Sequence, residues 1–377
     1  MSSVASTIFA RLNQLRSLDW ILLLAMFVLL ILGLSAIYSV ELSFDPGGFL
    51  NMKKQLIAVV IGIGVVSLLA LSNYRLLSNY ALILYIVGIA LLVGVLIWGQ
   101  SIRGAQGWFV LGPVSFQPVE FMKVALVVAL ATYFGEKARR VFGLKELAIS
   151  LGIVGLPVGI VLLQPDLGSA FVLLGIWFIL MVFAGLPFRY FMTLFLVFAL
   201  CAVLSWFFLL APYQKARIMT FADPTYDPLG QGYNVNQAMI AIGAGGWFGR
   251  GLGFGSQSQL KFLPESQTDF IFSVIAEELG FVGVLIVLGA FVLLFTRLYQ
   301  SVRHARDNFT AYLLLGIVAT LFLQILVNVG MNLGLFPVTG IGLPLVSYGG
   351  SSLVFLMALL GIAQSIYMTS RHSSRGR

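Results

Sequence analysis

The chain has 377 residues, of which 60% are hydrophobic and only 10% charged, and its mean hydropathy is +1.01. Soluble globular domains carry about 25% charged residues, so the composition excludes a soluble domain and predicts an integral membrane protein. Twenty-two basic residues against fourteen acidic ones give a formal net charge of +8. The single cysteine, Cys201, excludes an intrachain disulfide and a zinc cluster built from cysteines.

Ten apolar stretches are long enough to cross a bilayer as helices, which takes roughly 20 residues. Barrel strands would alternate in hydrophobicity over about 10 residues, and these stretches do not. The sequence therefore predicts an all-α integral membrane protein with about ten transmembrane helices in a single domain, residues 1–377. The first stretch is interpreted as an uncleaved helix, because no small-residue cleavage site follows it. The predicted spans are 20–40, 54–71, 77–98, 119–135, 147–163, 168–185, 188–210, 268–296, 311–332 and 351–368.

Basic residues predict the orientation of these helices, because cytoplasmic loops are enriched in lysine and arginine. With the N-terminus inside, 14 of the 22 basic and four of the 14 acidic residues face the cytoplasm. The formal charge is then +10 on the cytoplasmic side and −2 for the outer side and the membrane interior together. The positive charge is thus explained by topology, and no nucleic-acid partner is needed. Both ends, 1–19 and 369–377, are predicted to be cytoplasmic, and a large loop between helices 7 and 8, 211–267, is predicted to be extracytoplasmic.

Three further segments, 100–120, 164–168 and 333–352, contain glycine and proline at positions that interrupt a helix. The predicted topology puts all three on the same side of the membrane as the large loop. Irregular backbone near membrane depth is tolerated only where it is buried in protein or lines a wet cavity. The sequence therefore points to this side of the bundle as the place where chemistry occurs.

Two features stand out within the large loop. Residues 231–242 mix apolar and polar side chains and suit a short helix lying on the membrane. The segment Gly243–Gly255 has seven glycines in thirteen residues. A phosphate-binding loop would need a preceding strand, a following helix and usually a lysine, so the segment favours a loop that permits close backbone approach. Contact with a lipid pyrophosphate is the alternative.

Asp269 precedes an apolar helix predicted over 270–295. A carboxylate suits that helix end through the helix dipole, with Thr268 or Ser266 as cap. Acids inside membranes usually face a cavity or a partner, and Glu277 lies eight residues on, close to the same helical face. A helix-terminal role and a functional role for Asp269 both stay open at this point. Glu277 is either a functional residue or the structural partner of an inward-pointing base.

Glu120 and Lys123 form a second group, since residues three apart share one face of a helix. They make either a surface ion pair or a pair that points into the bundle. Arg103, Lys215 and Arg217 supply further positive charge on the same side. Cations beside a carboxylate at the outer membrane surface suit a substrate that carries phosphate on a lipid.

Four segments of the chain resemble the hallmark motifs of the SEDS family, the shape, elongation, division and sporulation proteins of bacteria. The resemblance covers nearly the whole chain and implies a multi-pass protein of the bacterial cytoplasmic membrane. At Thr339 the sequence resembles the elongation branch of the family, RodA. At Gly107 it departs from the arginine that many relatives carry. The segments are RGAQGWFVLGPVSFQPVEFMK (103–123), QPDLGSA (164–170), FLPESQTDFIFSVIAEELG (262–280) and PVTGIGLPLVSYGGSS (337–352).

The resemblance implies a peptidoglycan glycosyltransferase that polymerises lipid II for cell elongation and shape, together with a class B penicillin-binding protein that crosslinks the strands. Asp269 matches the essential aspartate of the family and is the expected general base. A divalent cation, Mg²⁺ or Mn²⁺, is a possible helper for the departing undecaprenyl pyrophosphate. The alternatives are a lipid II flippase, a scaffold for the crosslinking partner, or a division or sporulation paralogue with the same chemistry. The expected substrate-binding residues are Lys123, Glu120, Arg103, Lys215, Arg217, Glu277, Ser347 and Ser351.

Overall fold

A computed structural model describes residues 17–44, 48–102, 105–112, 114–137, 143–208, 212–223 and 231–374. Within these residues, nine helices are long and apolar enough to cross a membrane, and a tenth apolar helix, Leu167–Phe183, has 17 residues. The prediction of an all-α membrane protein with about ten spans is therefore confirmed. The assignment of the whole chain to a single domain stays a prediction.

The described residues form fourteen helices and three short strands. The helices are α1 Trp20–Phe44, α2 Leu50–Leu71, α3 Leu76–Asn79, α4 Ala81–Trp98, α5 Pro118–Lys137, α6 Leu144–Leu163, α7 Leu167–Phe183, α8 Phe188–Phe208, α9 Pro212–Ala222, α10 Gln231–Gly245, α11 Ser256–Gln259, α12 Ile271–Arg303, α13 Asn308–Asn332 and α14 Gly350–Ser374. The strands are β1 Gln100–Ile102, β2 Ala105–Leu111 and β3 Val114–Phe116.

Three helices form the centre of the bundle. In α5, α13 and α14 two thirds or more of the most apolar stretch is buried inside the protein, against 6% in α8. Helix α13 packs against α5 and α7, and α14 packs against α2. Polar groups are costly in contact with lipid, so central helices are where a membrane protein can carry them. The residues of the site described below lie at one end of these helices.

The segment between α4 and α5 is a small antiparallel sheet rather than the irregular loop that its glycines and prolines predicted. The strand order is β1-β2-β3, with Ser101 opposite Gln106 and Phe109 opposite Phe116. The Phe109 and Phe116 rings stack with centroids 6.5 Å apart. Gln106 fixes the sheet to the bundle, because its amide nitrogen Nε2 donates to the carbonyl oxygen of Leu96 at 3.2 Å. Two of the strands have only three residues, which is too short for a clear alternating pattern.

Helix α12 is broken at Gly280, where φ is 67° and ψ is −165°. The break separates two backbone carbonyl groups from the two amides that would bond to them in a continuous helix. The turn 246–251 of the glycine-rich segment replaces these partners on both sides of the break. Its bonds are Arg250 N to Glu277 O (3.0 Å), Gly251 N to Glu278 O (2.9 Å), Phe281 N to Gly246 O (2.9 Å) and Val282 N to Trp247 O (3.1 Å).

This arrangement confirms that the glycine-rich segment serves close backbone approach. A Cβ atom added to Gly249 would collide with the backbone of Glu278, and one added to Gly280 would collide with Gly249. Both glycines also have positive φ, which side chains rarely adopt. Helix α10, which leads into the segment, matches the predicted helix over 231–242 and packs against α12.

We expect Gly249→Ala to lower the free energy of unfolding by about 3 kcal/mol, because it adds backbone strain and forces the turn away from α12. The thermal unfolding midpoint of the protein in detergent measures this. Gly243→Ala is the matched control, since Gly243 lies in α10 with nothing within 4 Å of an added Cβ. Alanine there is expected to stabilise the helix by about 0.5 kcal/mol. Equal midpoints for the two variants would contradict the role of the turn.

Candidate active site

A cavity of about 260 Å³ lies at the end of the bundle where α5 and α7 begin and α13 ends. Its walls come from the three segments 100–120, 164–168 and 333–352, from residues of the adjoining helices, and from Thr268 and Asp269. The irregular segments that the sequence predicted on one side of the membrane thus meet around one cavity. Its charged lining residues among those described are Asp166, Asp269, Glu120 and Lys123.

Asp269 lies just outside α12. The helix begins at Ile271 and its N-cap residue is Phe270, whose side chain makes no capping hydrogen bond. Asp269 belongs to the preceding turn, where its backbone nitrogen donates to the carbonyl oxygen of Glu265 at 3.1 Å. Its side chain lines the cavity and the residue is 7% exposed. Asp269 is thus a nearly buried carboxylate on the cavity wall, and its functional role stays a prediction.

Two asparagines of α13 hold the backbone of Asp269. The side-chain nitrogens Nδ2 of Asn328 and Asn332 each donate to the carbonyl oxygen of Asp269 at 3.0 Å. Asn328 also donates to the carbonyl of Ile341 at 2.8 Å, and Asn332 accepts from the Ser273 hydroxyl at 2.6 Å. Both asparagines are fully buried. Sequence analysis missed them, although two amides four residues apart in an apolar helix are a readable signal of a shared polar face.

The residues just before Asp269 are fixed by the fourth motif. The hydroxyl of Ser347 donates to the carbonyl oxygen of Thr268 at 2.5 Å, and the backbone nitrogen of Tyr348 donates to the carbonyl of Gln267 at 2.8 Å. Ser347 also lines the cavity. Burial raises the pKa of the Tyr348 phenol, so this cavity-lining group stays neutral. The motif therefore lines the cavity and also fixes, through backbone contacts, the residues that precede Asp269.

The second motif packs directly on the fourth. A Cβ atom added to Gly168, at the start of α7, would lie 2.7 Å from the carbonyl oxygen of Thr339. Only glycine leaves room for this approach. Asp166 caps the same helix, since it accepts from the backbone nitrogen of Ser169 at 2.9 Å and from its hydroxyl at 2.7 Å. Sequence analysis selected this segment but not Asp166, which adds a carboxylate to the cavity.

Glu120 and Lys123 form a buried ion pair that faces the cavity. Lys123 Nζ lies 2.7 Å from Glu120 Oε2, and the two side chains are only 5% and 9% exposed. Both residues line the cavity, which confirms that the pair points into the bundle rather than into solvent. Among the described lining residues, three carboxylates face one ammonium group, so the cavity carries net negative charge.

Other predicted site residues lie elsewhere. Glu277 is fully buried but caps α11, because its carboxylate accepts from the backbone nitrogens of Gln257 at 2.8 Å and Ser258 at 3.1 Å. The structure does not bring it to the cavity, since Asp269 precedes the helix and helical spacing does not relate the two residues. Ser351 and Lys215 do not line the cavity, although the neighbours of Ser351 on both sides do. Arg103 and the side chain of Arg217 lie outside the described residues.

The described part of the chain does not form a metal-binding site of clustered side chains for the predicted divalent cation. No group of three or more histidine, cysteine, aspartate or glutamate side chains is placed there to hold a metal ion. Magnesium is normally held by at least one or two carboxylates together with substrate phosphates. The predicted cation would instead be shared between a carboxylate and the departing diphosphate, and it stays a prediction.

Comparisons with known proteins cover almost the entire chain. The model of the FtsW/RodA/SpoVE cell cycle protein family matches residues 14–372. Peptidoglycan glycosyltransferase MrdB of Escherichia coli K12 is 39% identical over 350 residues, which cover 93% of each chain. Stage V sporulation protein E of Bacillus subtilis 168 is 36% identical over 369 residues, covering 94% of this chain and 98% of the relative.

Solved structures are similar to this chain in fold as well as in sequence. A chain from a peptidoglycan synthase complex that coordinates polymerization and crosslinking matches with a TM-score of 0.79 at 35% identity, over 94% of this chain and 98% of that one. The rod shape determining protein RodA of Thermus thermophilus matches with a TM-score of 0.69 at 33% identity, over 93% and 96%. The chain therefore belongs to the FtsW/RodA/SpoVE family of cell cycle proteins, the family whose motifs its sequence resembles.

Proposed function

We propose that this protein is a peptidoglycan glycosyltransferase that polymerises lipid II into glycan strands at the outer face of the bacterial cytoplasmic membrane. The observation that carries the proposal is the placement of Asp269 in a cavity, with its backbone held by two buried asparagines and an ion pair on the same lining. The 39% identical relative MrdB bears the name of this activity. The positive-inside pattern supports an outward-facing cavity and cytoplasmic termini.

Asp269 is the proposed general base. Lipid II carries its sugar on the diphosphate with α configuration, and the glycan strand has β linkages, so one direct displacement inverts the anomeric carbon. Asp269 takes the proton from the acceptor hydroxyl while the hydroxyl oxygen forms a bond to C1 of the donor sugar. The bond from C1 to the diphosphate oxygen breaks, and undecaprenyl diphosphate leaves with that electron pair. No second carboxylate is needed to protonate this leaving group.

Lys123 is proposed to stabilise the negative charge of the departing diphosphate. An ammonium group has three N–H donors and the contact with Glu120 uses one, so others are available to phosphate oxygens. A Cβ atom added to Gly107 would meet ordinary contacts only, with Gln164 Oε1 at 3.8 Å. Glycine brings no positive charge to this position, which leaves Lys123 as the basic residue of the described lining.

The proposed partner is a class B penicillin-binding protein that crosslinks the new strands. The synthase complex that this chain matches, with its TM-score of 0.79, is described as coordinating polymerization with crosslinking. We assign the protein to cell elongation and shape, which Thr339 and the likeness to a rod shape determining protein support. Transport of lipid II is less well supported, because Glu277 and Glu278 bond to α11 rather than lining the cavity.

The direct test is polymerisation of fluorescently labelled lipid II by the purified protein, alone and with its crosslinking partner. Glycan strands resolved on a gel support the proposal. No strands under either condition, with the protein folded and the lipid accessible, would overturn it. Transbilayer movement of lipid II in vesicles without polymerisation would favour the transport alternative.

We expect Asn328→Ala to lower kcat about tenfold with KM for lipid II changed less than threefold, since small displacements of a catalytic group are costly. Asn328 acts as a positioning residue, because it touches the backbone of Asp269 rather than the reacting atoms. Thr320→Val is the matched control on α13, where the hydroxyl bonds only to the carbonyl of Gly316. Steady-state polymerisation measures both. A rise in KM alone, or no change, would contradict the positioning role.

A further inference from the structure

Helix α13 carries three amide side chains along one face, Gln324, Asn328 and Asn332, each four residues from the next. The two asparagines are engaged with the backbone of Asp269 and with neighbouring groups. Gln324 differs from them. It is only 2% exposed, and its oxygen Oε1 has no hydrogen-bond partner among the described residues. It also lines the cavity that contains Asp269.

A buried polar atom without a hydrogen-bond partner lowers the stability of the fold, so native proteins rarely keep one without a use. Leucine of similar size would avoid that cost at this position of an otherwise apolar helix. We propose that Gln324 is a substrate-binding residue of the cavity, where its amide forms a hydrogen bond with a hydroxyl group of the sugar bound beside Asp269. The assignment rests on the proposed function and adds a specific contact to it.

The chemistry of the cavity favours a neutral sugar as the ligand at Gln324. A hydroxyl both donates and accepts, so it satisfies the amide whichever way its oxygen and nitrogen point. Lys123 is the basic residue of the described lining and is assigned to the diphosphate, so a neutral hydroxyl suits the uncharged amide of Gln324. At about 260 Å³ the cavity is also smaller than the 300–1,000 Å³ typical of drug-sized ligands, which fits a single sugar.

The spacing along α13 fits the same ligand. Gln324 lies four residues before Asn328, hence about 6 Å along the helix axis at 1.5 Å per residue. Asn328 marks the level of the Asp269 backbone, because the two are in direct contact. A sugar ring between these levels presents one hydroxyl to Asp269 and another to Gln324. The amide would thus fix which hydroxyl faces the base.

The test separates binding from turnover. In an Asp269→Asn background, the thermal stabilisation of detergent-solubilised protein is titrated with lipid II, with and without Gln324→Leu. We expect Gln324→Leu to weaken the apparent affinity about three- to tenfold, as for the loss of one hydrogen bond. With Asp269 intact, KM for lipid II is expected to rise by the same factor. Gln324→Met, an unbranched near-isostere, repeats the measurement if the leucine variant folds poorly.

Gln364 provides the matched control. It is a fully buried glutamine whose two amide atoms are both satisfied by the backbone of Asp19, at 3.0 Å each. Gln364→Leu should lower the unfolding midpoint and leave affinity unchanged. Gln324→Leu should weaken binding without lowering the midpoint, because it removes an unsatisfied group.

Two results would overturn the assignment while leaving the proposed function intact. One is unchanged affinity and KM in an active Gln324→Leu protein, which would mean that the amide meets only a structural water. The other is a fall in midpoint like that of the control with no change in affinity. Failure of the proposed function is distinguishable, since it shows as a wild-type protein that does not polymerise lipid II.

Discussion

Replacing Asp269 by asparagine is expected to reduce polymerisation of lipid II by at least about a hundredfold, since a general base contributes about 10²–10⁴-fold to a rate. The substitution preserves the size of the side chain and removes its ability to accept a proton. It also leaves these backbone contacts intact, because Asn328 and Asn332 donate to the main-chain carbonyl oxygen of Asp269. The unfolding midpoint should therefore stay close to that of the wild type.

The measurement is initial polymerisation rate on labelled lipid II, with the unfolding midpoint recorded on the same samples. Asp223→Asn is the control, because it makes the same chemical change at a residue of the predicted loop 211–267 that does not line the cavity. Its rate should lie within twofold of the wild type. A folded Asp269→Asn protein with more than a tenth of the wild-type rate would remove Asp269 from the role of base.

The membrane architecture was predictable because a bilayer imposes a length on every apolar span. Uninterrupted runs of about 20 apolar residues are typical of transmembrane helices. Charge asymmetry between loops predicts the orientation of these helices, which stays a prediction. The three irregular segments were also predictable as a group, since glycine and proline at membrane depth require protein or water around them. Their convergence around Asp269 agrees with that physical constraint.

The supporting contacts of the site were not predictable in the same way. Asn328 and Asn332 become meaningful only when the turn containing Asp269 is folded onto α13, which joins residues 59 and 63 positions apart. Glu277 was assigned by helical spacing from Asp269, and that assumption fails because the helix begins two residues after Asp269. The break at Gly280 could not be predicted from the sequence either. The hydrogen-bond partners of the backbone groups beside the break come from a turn about thirty residues earlier in the chain.

Lys123→Met is expected to lower both stability and activity. It removes one partner of a buried ion pair and leaves the carboxylate of Glu120 without compensation, which costs about 3 kcal/mol. It also removes the ammonium group that stabilises the departing diphosphate, so polymerisation should fall at least about tenfold. The unfolding midpoint and the polymerisation rate report these two losses, but a single substitution does not separate them.

The double variant Glu120→Gln with Lys123→Met separates them. Both buried charges are then absent, and a buried pair replaced by neutral groups of similar size is often close to neutral in stability. The unfolding midpoint should therefore return to near the wild-type value. Polymerisation should stay at least about tenfold low, because nothing replaces the lysine at the leaving group. If the double variant regains activity together with stability, the pair serves only to hold α5 at the cavity, and the cation for the leaving group must come from another part of the complex.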